Sequence, residues 1–255
     1  MTLEIVTIPC LQDNYAFLAH DPESGKTAVI DVPEAGPILE ALKARGWSAD
    51  IVLLTHHHWD HVDGLPDLKK KHTPKVVGAA ADVDRLPDLD LEVAEGDTVR
   101  IGREEGTVID VSGHTMGHIA FHFPASQAVF TADSLMALGC GRLFEGEPAV
   151  MHESLSKLAA LPEATIVYSG HEYTQSNAKF ALTVDPENVA LQARAAKIEE
   201  LRAGDQPTVP STLAEELATN PFLRSGDAGL RKAIGMEEAD DVAVFAEVRK
   251  RKDNF

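Results

Sequence analysis

Residues 51–61 read IVLLTHHHWDH, an apolar run followed directly by four histidines and an aspartate. The aliphatic run is typical of a buried strand, so the histidines begin where a strand ends. His56 and His58 are two residues apart and lie on one face of extended backbone, whereas on a helix they would diverge by about 200°. Asp60 and His61 are adjacent and must diverge, so we expect the chain to turn into a helix there. Two differently directed pairs of ligands predict two metal ions.

The types of these residues favour a catalytic site. Imidazole nitrogens suit zinc, iron and other transition metals, and a carboxylate among histidines is more typical of catalytic than of structural sites. A lone histidine is more often an ordinary surface or core residue, but the spacing HxHxDH after a strand is poorly explained in that way. His57 and Trp59 alternate with the ligands, so we expect them to face away and to pack or to support the ligands.

Three further candidates also follow apolar runs. His114 comes after residues 109–111, Asp133 after residues 129–132 and His171 after residues 166–168. An aspartate after a strand is more often a helix cap than a ligand. A glycine precedes both His114 and His171, and glycine allows backbone to approach a crowded site closely.

The order HxHxDH, His, Asp, His resembles the dinuclear site of the metallo-β-lactamase superfamily. The resemblance implies two ligand sets bridged by one carboxylate: His56, His58 and His114 for the first ion, Asp60, His61 and His171 for the second, and Asp133 between them. Asp60 and Asp133 are then the expected catalytic carboxylates. Cysteine is common at the Asp133 position in true metallo-β-lactamases, so the aspartate favours a different hydrolase. We expect two divalent ions per chain, zinc first, although iron and manganese also accept this ligand set.

Composition excludes several classes of protein. The chain has 255 residues, 44% of them hydrophobic, which is ample for a sizeable core. No apolar run approaches the roughly 18 residues of a membrane span, and the N-terminal residues lack a signal-peptide pattern, so we expect a cytoplasmic protein with no membrane partner. Cys10 and Cys140 are too few for a disulfide framework. A net charge of −18 disfavours nucleic acid as a partner, and we expect a monomer.

The pattern of elements predicts an α+β fold with a helical tail. Three strands at residues 3–9, 15–20 and 26–31 are separated by turn residues and predict an antiparallel meander. Pro33 opens a helix that ends at Gly46, and further strands and helices follow up to residue 168. Strands, helix, strands, helix indicate an αββα sandwich, as in the metallo-β-lactamase superfamily.

Beyond His171 there is almost no strand signal. The pair Asp185-Pro186 predicts the start of a helix running to Gly204. Thr212 and Glu215 predict a capping box, and residues 237–250 predict another helix. We therefore expect a metallo-β-lactamase-like catalytic domain at residues 1–171 and a helical domain at residues 172–255.

Flanking motifs narrow the substrate. Residues 55–61 (THHHWDH), 139–146 (GCGRLFEG) and 170–174 (GHEYT) resemble glyoxalase II, the hydroxyacylglutathione hydrolase family, as do residues 220–224 (NPFLR) and 249–255 (RKRKDNF). The resemblance spans essentially the whole chain, and it implies that the helical domain at residues 172–255 binds glutathione. It implies five contacts to glutathione: Arg142, Phe144, Tyr173, Arg249 and Lys252.

The basic C-terminal cluster supports this substrate independently. Arg249 and Lys252 are three apart on a predicted helix and share a face that suits a glutathione carboxylate. The alternative is a basic helix end that complements the helix dipole. We expect Arg249→Ala to raise KM for a glutathione thioester without changing metal content. Phe144 stands where some relatives have tyrosine, and Arg142 replaces a lysine found in some members, so affinity rather than reaction class is expected to differ.

The resemblance implies hydrolysis of S-D-lactoylglutathione to D-lactate and glutathione, a step of methylglyoxal detoxification. A water held between two metals about 3.5 to 4 Å apart loses a proton near neutral pH and attacks the thioester carbonyl, which one metal polarises. No serine or cysteine nucleophile is needed.

Other functions remain open. A persulfide dioxygenase of the same superfamily would use one iron and oxygen, but the full second ligand set and the helical tail argue against it. Lactonase or β-lactamase activity would leave the basic cluster without a purpose. A noncatalytic metal-binding module would bind metal without turnover.

Overall fold

The computed structural model describes residues 2–255, which divide into two compact units. Unit 1 comprises residues 2–111 and 116–131, and unit 2 comprises residues 112–115 and 132–255. Among residues 2–255, no helix is long and apolar enough to cross a membrane.

The first sheet of unit 1 is mixed. Its strands are β1 (Glu4–Cys10), β2 (Asn14–Asp21), β3 (Lys26–Ile30), β4 (Ala49–Leu53), β5 (Lys75–Ala79) and β6 (Leu91–Val93), in that order across the sheet. β1, β2 and β3 pair antiparallel, which confirms the predicted meander, and β3 to β6 pair parallel. Helices α1 (Ala35–Arg45), α2 (Trp59–Val62) and α3 (Leu65–Lys69) belong to the same unit.

The parallel pairing of β3 and β4 brings the polar residues that follow these two strands close together. Ile30 lies opposite Leu53, so both strands end at the same edge of the sheet. Helix α1 connects them and ends, as predicted, at Gly46 with φ 68°. Its buried face, with Ile38 and Leu42, packs in the core beside the apolar residues of β3 and β4. Side chains that follow β3 and β4 therefore lie close together, the usual position of sites in sheets with parallel strands.

Unit 1 also contains four neighbouring strands of a second sheet. They are β7 (Thr98–Ile101), β8 (Glu104–Asp110), β9 (Ile119–Phe123) and β10 (Ala128–Ala132). The pairs β7–β8, β8–β9 and β9–β10 are antiparallel. Asp110 lies opposite Ile119, so β8 and β9 flank the loop that carries His114.

Unit 2 is mainly helical. Its strands are β11 (Leu135–Met136), β12 (Gly139–Cys140), β13 (Ile166–Ser169) and β14 (Ser211–Thr212). Its helices are α4 (Pro148–Ala159), α5 (Thr174–Val184), α6 (Val189–Ala203), α7 (Leu213–Thr219), α8 (Ala228–Ile234) and α9 (Asp241–Asp253). Leu138 packs with apolar residues of α5 and α6, and Phe222 contacts the rings of Phe180 and Phe245.

Several details of unit 2 differ from the predictions. The predicted start of α6 at Asp185-Pro186 was wrong, because the N-cap is Asn188, whose side chain accepts a hydrogen bond from the Leu191 amide. Asp185 is engaged elsewhere, by the guanidinium of Arg224. Helix α5 and the short strand β14 were not predicted. The capping box of Thr212 and Glu215 is confirmed.

Candidate metal centre

The end of β4 brings His56 and His58 together, as their spacing predicted. The His56 Nε2 atom lies 3.1 Å from the His58 Nδ1 atom, and the two rings meet edge to face. His56 is fully buried, and His58 lies directly before α2. Two imidazole nitrogens this close to one another are placed to share a cation.

Helix α2 carries the second pair, which confirms the predicted turn into a helix. The His61 Nε2 atom lies 3.9 Å from the Asp60 Oδ2 atom. The Asn14 side-chain amide donates to the Asp60 carbonyl oxygen and to Asp60 Oδ2, at 3.0 and 3.1 Å. Asn14 lies on β2, so a residue of the meander fixes the orientation of the carboxylate.

A buried aspartate that the sequence did not single out organises both pairs. Asp31 follows β3 and accepts three hydrogen bonds: from the Thr55 amide at 2.9 Å, from the Thr55 hydroxyl at 2.8 Å and from His61 Nδ1 at 2.8 Å. The Thr55 hydroxyl also lies 3.0 Å from His56 Nδ1. One carboxylate therefore orients His61 directly and His56 through Thr55.

These contacts determine which ring nitrogens remain for a metal. The Nδ1 atoms of His56 and His61 face Thr55 and Asp31, so each histidine presents its Nε2 atom. Hydrogen bonds of this kind fix the tautomer and the ring orientation of metal-binding histidines. The only sequence signal for Asp31 was that an acidic residue stands at the end of a predicted strand, and such residues are common.

Unit 2 brings together the other three predicted ligands. Asp133 Oδ2 lies 3.5 Å from His114 Nε2, and Asp133 Oδ1 lies 3.3 Å from His171 Nε2. All three residues are buried. The aspartate thus presents one oxygen to each histidine, the arrangement that a bridging carboxylate requires.

The His114 ring is fixed by main-chain contacts. Its Nδ1 atom donates to the Arg142 carbonyl oxygen at 2.7 Å, which leaves Nε2 as the acceptor nitrogen. Gly113 has φ 146°, and a Cβ there would lie 2.8 Å from the Met151 side chain. The predicted need for glycine beside His114 is therefore confirmed by both conformation and space.

The neighbours of the ligands differ from expectation in two places. His57 faces away as predicted, and its Nδ1 atom lies 2.7 Å from the buried Asp82 carboxylate. Trp59 was expected to pack or to support the ligands, but its side chain is largely exposed. His118, which the sequence did not single out, is fully buried and stacks on His56 with 4.5 Å between the ring centroids.

The aromatic residues predicted to contact substrate lie against the unit 2 ligands. Tyr173 stacks on His171 with 4.6 Å between ring centroids, and Phe144 meets His114 edge to face at 5.2 Å. Phe144 and Tyr173 are exposed, and so is Arg142. Accessible side chains therefore surround this part of the site.

The basic residues at the end of α9 differ in their burial and in their contacts. Arg249 is buried, with only 6% of its surface exposed, and it pairs with Asp253 at 2.8 Å. Arg251 pairs with Glu247. The Lys252 ammonium lies 5.2 and 5.3 Å from the rings of Phe180 and Phe255. Burial, and next the positive charge of Arg249, lower the pKa of Lys252 to about 8.

The two cysteines have no nucleophilic role. Both are reduced and buried. Burial raises the pKa of the Cys140 thiol to about 11 and that of Cys10 to about 12. Because the thiolate is the nucleophilic form, both side chains are inert near neutral pH.

The chain is similar to known proteins over its full length. Residues 14–171 match the family model "Metallo-beta-lactamase superfamily", and residues 172–255 match "Hydroxyacylglutathione hydrolase C-terminus". The chain is 64% identical over 255 residues to the hydroxyacylglutathione hydrolase of Ruegeria pomeroyi, and the match covers all of both chains. It is 64% identical over 252 residues to the hydroxyacylglutathione hydrolase of a Jannaschia species, and this match covers 99% of the present chain and 98% of the Jannaschia protein. A crystal structure of TTHA1623 in a di-iron-bound form matches with a TM-score of 0.61 and 25% identity, covering 86% of this chain and 100% of that one.

Proposed function

The chain belongs to the hydroxyacylglutathione hydrolase family of the metallo-β-lactamase superfamily, and from this we propose that it hydrolyses S-D-lactoylglutathione to D-lactate and glutathione. Its fold is the metallo-β-lactamase fold followed by a helical C-terminal part, which confirms the predicted fold class. The observation that carries the proposal is Asp133, whose two oxygens face His114 and His171 separately in a chain that matches the family over its full length.

The proposed ligand sets follow the order of the motifs along the chain. They are His56, His58 and His114 for one ion, Asp60, His61 and His171 for the other, and Asp133 as the bridge. The donor chemistry fits, because hydrogen bonds fix the Nδ1 atoms of His56, His61 and His114 and leave their Nε2 atoms as donors to a metal. Mixed imidazole and carboxylate donors favour zinc, and iron or manganese also suits them.

Two divalent ions, when bound, supply the Lewis acidity that makes water nucleophilic near neutral pH and polarises the thioester carbonyl. Asp133 holds the spacing of His114 and His171, and Asp60 is held in place by Asn14. The water oxygen bonds to the acyl carbon, the carbon–sulfur bond breaks, and the sulfur leaves as a thiolate that then takes up a proton. Thiols have a pKa of about 8.5, so the leaving group requires no acid from the protein.

We assign substrate binding to the exposed side chains beside the ligands and to the C-terminal helix. Tyr173 and Phe144 offer aromatic surface, and Arg142 and Lys252 offer positive charge to the glutathione carboxylates. This local charge suits an anionic substrate, although the whole chain carries a net charge of −18. Residues 1–171 would then act as the catalytic domain and residues 172–255 as the glutathione-binding domain of a cytoplasmic monomer.

The lowered pKa of Lys252 predicts a pH dependence of KM. The protonated ammonium attracts a carboxylate, and this form is present below a pH of about 8 and is lost as pH rises through that value. We therefore expect KM for the thioester to increase between pH 7 and 9, with little change in kcat. Steady-state kinetics across that range measure the effect.

Lys252→Arg is the matched variant for this pH dependence. Arginine stays protonated throughout the range, and titration of the substrate itself affects both proteins equally. KM of the variant is expected to vary less with pH than KM of the wild type. Parallel pH profiles for the two proteins would remove Lys252 from the binding site.

The test of the proposed function is hydrolysis of S-D-lactoylglutathione by the purified protein, with metal content measured on the same sample. We expect rapid turnover with about two metal ions per chain. No turnover by the fully metal-loaded protein would contradict the proposal. Oxygen uptake with a glutathione persulfide and one iron per chain would instead identify a persulfide dioxygenase, and tight metal binding without either reaction would identify a noncatalytic module.

A further inference from the structure

The guanidinium of Arg249 is directed into unit 2. Its Nη1 atom donates to the Cys140 carbonyl oxygen at 3.0 Å, and its Nη2 atom lies 2.8 Å from Asp253. The guanidinium also stacks over the Phe222 ring at 5.1 Å. Among residues 2–255, no hydrogen-bond partner is found for its buried Nε atom. A guanidinium buried in this way interacts mainly with neighbouring groups of the protein.

The segment that Arg249 holds, residues 139–142, packs on two of the proposed ligands. The Gly141 amide donates to the Ser134 carbonyl oxygen at 3.1 Å, directly after Asp133 in the chain. A Cβ at Gly141 would lie 1.9 Å from the Asp133 carbonyl oxygen and 2.9 Å from His114 Nδ1. No side chain fits between this segment and the ligands, so a shift of the segment must move them.

The same segment also fixes the His114 ring. The Arg142 carbonyl oxygen accepts the hydrogen bond from His114 Nδ1 at 2.7 Å. Only one residue, Gly141, lies between Arg142 and Cys140, whose carbonyl oxygen accepts the hydrogen bond from Arg249. A chain of hydrogen bonds and covalent bonds therefore runs from helix α9 to the Nε2 atom that His114 presents.

We propose that Arg249 is a positioning residue for the metal centre, which acts on His114 and Asp133 through residues 139–142. This inference rests on the proposed ligand roles of His114 and Asp133. From sequence alone, Arg249 is expected to affect KM and not metal content. The buried contacts lead to a different expectation, because groups that orient metal-binding histidines change metal affinity when they are lost.

The test compares Arg249→Gln with Lys250→Gln. Both variants remove one positive charge from α9, but Lys250 is exposed and lies beside Arg249 in the chain. Metal affinity is measured by competition with a chelator, and the ligand environment by the visible absorption spectrum of the Co²⁺-substituted protein. We expect Arg249→Gln to weaken the binding of one metal ion by about tenfold and to change the spectrum. Lys250→Gln should resemble the wild type.

Two further variants distinguish the positioning role of Arg249 from a general folding defect. Arg249→Lys keeps a positive charge and a terminal N–H donor, so part of the lost affinity should return. Asp253→Asn removes the negative charge that pairs with Arg249 at a partly exposed position, and a smaller change in the same direction is expected.

Wild-type metal affinity and spectrum in both Arg249→Gln and Asp253→Asn would overturn the inference, and a raised KM in Arg249→Gln would then assign Arg249 to substrate binding alone. Neither metal measurement needs substrate. Failure of the wild type to hydrolyse the thioester would therefore count against the proposed function and not against the positioning role.

Discussion

Asp133→Ala is expected to lower metal content from about two ions to one per chain and to reduce kcat for thioester hydrolysis by about 10³-fold. The reason is the position of the carboxylate, whose oxygens lie 3.5 Å from His114 and 3.3 Å from His171. Without it, no group in the proposed set joins the two ligand sets. Metal analysis of the dialysed protein and steady-state kinetics measure the two effects.

Asp88→Ala is the control for this variant. Asp88 is an exposed aspartate and is not one of the proposed ligands, so its loss removes the same charge without removing a ligand. It should retain two metal ions and wild-type turnover. Two ions per chain in Asp133→Ala would refute the bridging role, whatever the effect on rate.

Asp31→Asn is expected to weaken metal binding by about 10- to 100-fold and to lower the free energy of unfolding by about 1–3 kcal/mol. Asparagine keeps the shape and tolerates the left-handed backbone at this position, where φ is 55°. Asparagine has one side-chain oxygen where aspartate has two, so it cannot accept all three hydrogen bonds that Thr55 and His61 donate to Asp31. The rings of His61 and His56 lose their fixed orientation, and a buried donor is left without its acceptor.

Chelator competition and chemical denaturation measure these two effects, with Asp50→Asn as the control. Asp50 also accepts a backbone hydrogen bond, from Thr27 at 3.0 Å, but it lies near the start of β4 whereas the histidines follow its end. It should change stability and leave metal affinity unaltered. Equal metal affinity in the wild type and Asp31→Asn would show that Asp31 supports the fold and not the ligands.

The candidate ligands were predictable because their chemistry is encoded locally. His56 and His58 are brought together by extended backbone, and Asp60 and His61 by the first turn of a helix, so spacing along the chain fixes their directions. Helix boundaries were less predictable. Both Asp185 and Asn188 are good capping residues, and the choice between them depended on Arg224, which binds Asp185 from 39 residues away.

The sequence by itself determined the types of the candidate ligands, their order and the strand ends from which they project, since hydrophobic periodicity and spacing are properties of short segments. Only the tertiary structure decided which groups support them. Asp31 reaches His61 across 30 residues because β3 and β4 are parallel and end at one edge. Arg249 reaches the Cys140 carbonyl across 109 residues because α9 packs in unit 2. Contacts of this kind depend on sheet register and helix packing, and no local pattern specifies them.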